Sequence, residues 1–325
     1  MVFQSREETM LKSMSIRLAR SVCVLFVVIV AVNHLTMLLP GDATSLLLSQ
    51  DATAEQRAEL ARTLGLDKNE WQRLADWIGG IFQGDWGVSF LSNRPVLAEI
   101  TSRLPVTLEV VMLGQSVAVA LALAIAMIGV CHVNGVADRV LSGLSFLMLS
   151  MPSFVIGLLL IYLFAVTFRI LPAIGYVPFG QDPAENLKTM IMPALTIGLC
   201  DAAVYARTLR SSIISTLSQP YMDAARARGA SLYKALWARA LRPASPAAVA
   251  LIGMNIGVSM GGSLIVENIF GIPGIGRLSV TALQGRDIPM LQGIVVFATL
   301  CVLAMSIVVD LVSYLLNPKG SYGRE

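Results

Sequence analysis

Residues Ser218–Pro243, SQPYMDAARARGASLYKALWARALRP, form the one long polar and basic interruption between the apolar runs of the chain's second half. Pro220 suits the first turn of a helix and Asp223 falls in that turn, where a carboxylate complements the helix dipole. Arg226 and Arg228 fall in the last turn, and Gly229 supplies a left-handed stop. Ser231 caps a second helix running toward Leu241, so the segment reads as helix, glycine turn, helix. Ala224 and Ala225 on the first arm are small enough for a partner to approach closely. A helix of about eight residues is marginal alone in water, so this one is expected to dock.

Outward from this segment the chain is apolar. Of 325 residues, 55% are hydrophobic and 14% charged, with a mean hydropathy of +0.71. That composition is an integral membrane protein's. The net charge of +3 is too small to suggest nucleic acid as a partner. Cys23, Cys131, Cys200 and Cys301 lie in or beside apolar runs without C-x-x-C spacing, so they read as packing residues.

Six apolar runs are long enough to cross a bilayer at about 20 residues per span. Their limits are Ile16–Leu39, Val106–Val130, Val140–Phe168, Thr189–Arg210, Ala247–Glu267 and Leu291–Leu316. Lys12, Arg17 and Arg20 precede the first run, which exceeds the h-region of a signal peptide, so it reads as a retained span. Between Arg207 and Arg242 there are seven basic residues and one acidic residue, which places that loop, and with it both termini, in the cytoplasm. The division expected is a cytoplasmic N-terminus and first span over 1–39, and an extracytoplasmic helical insert over 40–105. A five-helix core follows over 106–316, containing a cytoplasmic loop at 211–246, and then a tail at 317–325.

In the insert, Thr53 and Gln56 form a capping box for a helix that Gly65 stops. Asp67 with Glu70 does the same for a second helix, which carries Trp71, Leu74, Ile78 and Ile81 on one face. The Gly- and Pro-rich stretch IFGIPGIGRLSVTALQGRDIPM, 269–290, is expected to be irregular at the outer membrane edge.

Charge is costly in hydrocarbon, so ionisable residues in or near spans are candidates for a transport pathway. Glu109, Glu267 and Asp310 lie near predicted span ends, where structural roles suffice. Asp201 lies mid-span and is expected to face the bundle. With Asp201, the residues Met254, Asn255, Met260 and Glu267 form the candidate pathway or outer gate. The methionines there fill gaps or meet a soft metal, and Gly253, Gly257 and Gly261 permit either close helix contact or a pore. His34 and His132 have no partner at metal-ligand spacing, so neither a metal site nor a catalytic centre is read. No Lys follows a Gly, so there is no Walker A sequence, and no cofactor is expected.

Asp223, Ala224, Ala225 and Gly229 resemble, with Asp for Glu, the E-A-A-x-x-x-G motif that ABC importer permeases present to their ATPase subunits. DAARARG is similar to the variant of the dipeptide, oligopeptide and nickel permeases. The motif's usual I-x-L-P ending is here Arg239, Leu241 and Pro243, with the proline one residue late. GDWGVSF, NRPV, LPVTLE, V-E-x-I-F-x-x-P-G-x-G from Val266 to Gly276, and R-D-x-P from Arg286 extend the resemblance over nearly the whole chain. It implies an all-α type I ABC importer permease with six transmembrane helices in the bacterial inner membrane. Its implied partners are a second related permease subunit, two cytoplasmic ATPase subunits and an extracytoplasmic solute-binding protein. The residues from Asp223 to Gly229, Arg226 and Arg228 included, would then couple to the ATPase. The cargo implied is a dipeptide, an oligopeptide, or nickel or another metal as a chelate, with LPAIGY, RPV and GMNIG nearer the nickel type. The alternatives are a secondary transporter or a membrane enzyme without an ATPase partner.

Overall fold

The computed structural model describes residues 20–34, 53, 55, 69–229, 231–260 and 263–316. In chain order the helices are α1 (Arg20–His34), α2 (Glu70–Phe82), α3 (Val96–Cys131), α4 (Val136–Ser150) and α5 (Ser153–Leu160), the last continued by a π-helical stretch, Ile161–Thr167. Then come α6 (Pro183–Leu217), α7 (Pro220–Ala227) and α8 (Leu232–Ala235), with a π-helical stretch at Leu236–Ala240. The chain continues with α9 (Leu241–Met260), α10 (Leu264–Phe270), α11 (Ile275–Gln284) and α12 (Ile288–Leu316). Among the described residues the only extended pairing is the isolated bridge between Val88 and Pro95.

Among the described residues, four helices are long and apolar enough to cross a membrane: Val96–Cys131, Pro183–Leu217, Tyr233–Met260 and Ile288–Val312. The pair α4 and α5 with its π extension makes a fifth if it counts as one span, although it is bent by 105°. The bend falls inside the apolar run expected over Val140–Phe168. Pro152 forces the residue before it out of helical geometry, and Met151 sits accordingly at φ −94°, ψ 128°. The first expected span is described only over Arg20–His34, and the expected capping box at Thr53 and Gln56 with the Gly65 stop falls largely outside the described residues.

The chain divides into two compact units. The first contains residues 1–103 and 278–303. In it, the Gln292 side-chain amide donates to Asn33 Oδ1 at 3.1 Å, so two buried amides on apolar helices satisfy each other. Helix α2 is capped by Asn69, whose side chain accepts from the Trp71 N–H, in place of the expected Asp67. Leu74 on this helix is buried, whereas Trp71, on the same face, is 65% exposed.

Asp287 organises the rest of this unit. Its buried carboxylate caps α12 through the Met290 N–H at 3.2 Å and accepts from the Phe90 N–H at 3.1 Å and the Leu91 N–H at 3.3 Å. Ser89 Oγ donates to it as well. One carboxylate thus holds the GDWGVSF loop and the R-D-x-P turn together, two motifs 196 to 198 residues apart.

The second unit contains residues 104–277 and 304–325. Helix α6 begins at Asp182, which accepts from the Ala184 and Glu185 N–H groups, with Pro183 at the first helical position. It crosses α3 where both helices carry glycine. A Cβ on Gly198 would lie 2.5 Å from Val117 Cγ1, and one on Gly114 would lie 2.7 Å from Ile197 Cβ. Gly253 gives a similar answer, since a Cβ there would come within 1.8 Å of Val309 Cγ2 on α12, so at this position the glycine serves helix contact. Gly261 lies outside the described residues.

Two further boundaries differ from expectation. The last long helix before the outer stretch starts at Tyr233, not Ala247, and ends at Met260, so Glu267 belongs to the separate helix α10. The helix passes Pro243 because the π-helical stretch one turn earlier resets the hydrogen-bond register, with the Leu241 N–H reaching back to Leu236 O. The stretch 269–290, expected to be irregular, contains the ten-residue helix Ile275–Gln284. Irregular backbone is confined to the turns on either side of it.

Asp287→Ala strands four donors and is expected to lower stability by about 3 kcal/mol. Asp287→Asn, which keeps one acceptor oxygen, should recover part of that loss. Thermal unfolding of the purified chain in detergent checks both, and an unchanged midpoint for the alanine variant would remove Asp287 from this role.

Candidate functional site

Helix α7 stands between two long apolar helices. Pro220 starts it, Asp223 occupies its first turn, and the chain leaves it through Gly229 at φ +83°. A Cβ on Gly229 would meet nothing within 4 Å, so it is the backbone angle alone that favours glycine here. The helix ends at Ala227, which puts Arg228 in the turn, not in the last helical turn as expected. Ser231 Oγ accepts from the Lys234 N–H at 3.4 Å and caps the second arm.

The neighbours Ala224 and Ala225 point different ways. Asp223, Ala224 and Arg228 are exposed, whereas Ala225 is 1% exposed and packs inside the chain. Met222, fully buried, enters a core with Leu209 and Ile213 of α6, Leu236 and Ala240 of the π-helical stretch, and Met127 and Val130 of α3. The small-residue arm therefore has one exposed face and one face locked to three long apolar helices. Arg226 lies within the helix.

A second constellation lies where α3 and α6 cross. Gln115 Nε2 donates to Asp201 Oδ2 at 2.6 Å, Asn255 Nδ2 donates to Asp201 Oδ1 at 3.3 Å, and Tyr205 Oη donates to Gln115 Oε1 at 2.8 Å. Asp201 thus faces the bundle and is held by neutral amides from α3 and α9. Met254, next to Asn255, is 59% exposed, whereas Met260 is buried. Gln115 and Tyr205 join this cluster without having been singled out in the sequence. Tyr205 one turn after Asp201 carried that signal on its own helix, but nothing in the sequence pointed to Gln115.

Glu267 sits elsewhere, fully buried on α10 and facing the start of α11. Thr107 Oγ1 donates to its Oε1 at 2.9 Å and Ser263 Oγ at 3.0 Å, while the Arg277 N–H donates to Oε2 at 3.0 Å. Thr107 in turn accepts from the Ile275 N–H at 2.8 Å. A Cβ on Gly274 would lie 2.5 Å from this carboxylate, which accounts for one glycine of the P-G-x-G string. With both oxygens occupied by donors, Glu267 is a latch for its turn.

Glu109 does the same for the loop containing LPAIGY. Tyr176 Oη donates to its Oε2 at 2.9 Å and Asn186 Nδ2 to its Oε1 at 2.6 Å. Burial first, and then the hydrogen bond and negative charge of Glu109, push the Tyr176 phenol up to about 12. The Gly175 N–H donates to Phe270 O at 3.0 Å, so this loop is also tied to the end of α10.

The last charged feature is an ion pair between Arg210 Nη2 and Asp138 Oδ2 at 2.7 Å, at the start of α4. The Asn134 N–H also donates to Asp138. His132 Nδ1 is 3.1 Å from Ile128 O, and among the described residues no group of three His, Cys, Asp or Glu stands close enough to hold a metal ion.

Comparison with known proteins agrees with this architecture. Residues 116–321 match the family model described as binding-protein-dependent transport system inner membrane component, and residues 10–111 match its N-terminal companion. A putative peptide transport system permease protein of Brucella abortus (strain 2308) is 32% identical over 306 residues, covering 94% of this chain and 98% of that protein. The glutathione transport system permease protein of Escherichia coli (strain K12) is 34% identical over 306 residues, covering 94% and 97%. Among solved structures, an inward-facing MetNI methionine ABC transporter superposes with a TM-score of 0.56 at 15% identity, covering 68% of this chain and 97% of that one. An amino acid ABC transporter crystallised with histidines gives 0.52 at 19%, covering 67% and 94%, and at these identities both speak for the fold alone. The chain therefore belongs to the binding-protein-dependent transport system inner membrane components and is a multi-pass permease of the ABC importer type.

Proposed function

We propose that this chain is one of two membrane subunits of an ATP-driven peptide importer, receiving cargo from an extracytoplasmic solute-binding protein and driven by two cytoplasmic ATPase subunits. The observation that carries the reading is helix α7, with Asp223 and Ala224 exposed on one face and Met222 and Ala225 buried on the other. A force applied by a partner at the exposed face passes through Met222 into α3, α6 and the helix starting at Tyr233. Close packing makes that transfer stiff. The peptide cargo is supported by relatives named for peptide and glutathione transport. A nickel chelate remains the competing cargo, and either would cross as a whole molecule, since the described residues gather no metal-binding group.

Asp201 and Asn255 are the proposed polar contacts on the pathway, and Glu267 shapes the outer gate without meeting cargo. The basic loop from Arg207 to Arg242 supports a cytoplasmic α7, with both termini on the same side.

Three substitutions test the coupling role. Ala224→Glu adds bulk and charge to the free face and should lower uptake by about tenfold or more with membrane abundance unchanged. Ala225→Glu buries a charge and should lower abundance itself. Gly229→Val, strained by about 1–3 kcal/mol at positive φ, should separate ATP hydrolysis from uptake. Normal uptake by the Ala224 variant at normal abundance would end the docking reading.

Orientation is checked with single cysteines in a background without the four native ones. A membrane-impermeant maleimide should label position 180 in intact cells and leave position 228 untouched, and the reverse pattern would invert the topology. Cargo is checked by gene-dependent uptake of a labelled dipeptide, of nickel with added histidine, and of nickel in chelator-free medium. Dipeptide uptake is the expected result, and gene-dependent uptake of nickel alone would replace the peptide reading.

A further inference from the structure

A cavity of about 350 Å³ opens between α4 and α6, away from the Asp201 cluster and from the Glu267 turn. Its polar wall carries Arg207 and Arg210, three residues apart and hence on one face of α6, with Ser142 and Ser211 beside them. Its apolar wall carries Phe146 and Leu149, which are 57% and 40% exposed. The Arg207 guanidinium lies 5.4 Å from the centroid of the Phe146 ring, which orients the cation at the mouth. Arg210 gives one nitrogen to Asp138, while its Nε and Asp138 Oδ1 are buried without a hydrogen-bond partner. Two cations against one carboxylate leave the lining with a net charge of +1.

We propose that this cavity binds the phosphate headgroup of an anionic phospholipid. Position argues for a lipid over a soluble anion. Asp138 lies in the first turn of α4 and Arg210 two turns before the end of α6, so the basic wall sits where two membrane helices reach the interface. A basic pocket between transmembrane helices at that level faces headgroups. The exposed Phe146 and Leu149 side chains continue the cavity along the helix surface, and they suit an acyl chain but have no use for free phosphate. The ligand would bridge α4, at the proline-broken pair, to the helix that leads into α7.

The full-length chain in detergent, titrated with phosphatidylglycerol or phosphatidylcholine and read by native mass spectrometry, tests the assignment. One phosphatidylglycerol is expected to bind more tightly than phosphatidylcholine, and Arg207→Gln should weaken it about fivefold. Arg207 is exposed, so its loss leaves the Arg210–Asp138 pair and the fold intact. Leu141→Trp, which fills the cavity while keeping every charge, should weaken binding similarly. Arg239→Gln, an exposed basic residue outside the cavity, should change nothing. Equal binding of the two lipids, or wild-type binding by both cavity variants, would overturn the proposal. Displacement of the lipid by millimolar inorganic phosphate would overturn it in favour of a soluble-anion site.

Discussion

Hydrocarbon offers no hydrogen bonds, so wherever a membrane helix is interrupted the protein itself has to satisfy the exposed backbone and side-chain groups. Three hydrogen-bonded carboxylates of this chain answer that constraint. Glu267 takes the Thr107 and Ser263 hydroxyls and an amide of the first turn of α11, Glu109 holds the loop before α6, and Asp287 closes the GDWGVSF loop on α12. In each case a hydrogen-bonding partner lies far away in sequence, so one side chain ties together distant segments of the chain. The glycines and prolines around them permit the turns, and the carboxylates decide which turns meet.

The same economy separates two kinds of motif residue. Glu267 and Asp287 belong to strings that mark the family, yet both are buried and saturated with donors. Asp223 and Ala224 lie on a surface. Only the second kind is placed to meet another protein.

The short helix α7 was legible from composition and local chemistry, because Pro220, Asp223 and Gly229 act within one or two turns. The apolar runs were legible for the same reason, as hydropathy is a sum over neighbours. What escaped depended on distant partners or on a single residue overruling its neighbourhood. Pro152 breaks a run that hydropathy alone reads as one span, and the π-helical turn lets a helix continue through Pro243 where a proline reads as a stop. The burial of Ala225 beside an exposed Ala224 depends on Met222 entering a core built from three other segments, which no local pattern reveals. Gln115 was missed because its role exists only once Gly114 and Gly198 bring α3 against α6.

The tie at Asp201 differs in kind from the tie at Arg210. Gln115 and Asn255 are neutral, so either can exchange its hydrogen bond for one to another acceptor without pulling opposite charges apart. The Arg210–Asp138 pair, 2.7 Å apart, cannot part without separating opposite charges. The mid-membrane crossing of α3, α6 and α9 is therefore the slip plane of the second unit. The end of α6 toward α7 carries the charged and stiffer tie, so a displacement of this helix falls first on the neutral contacts at the crossing.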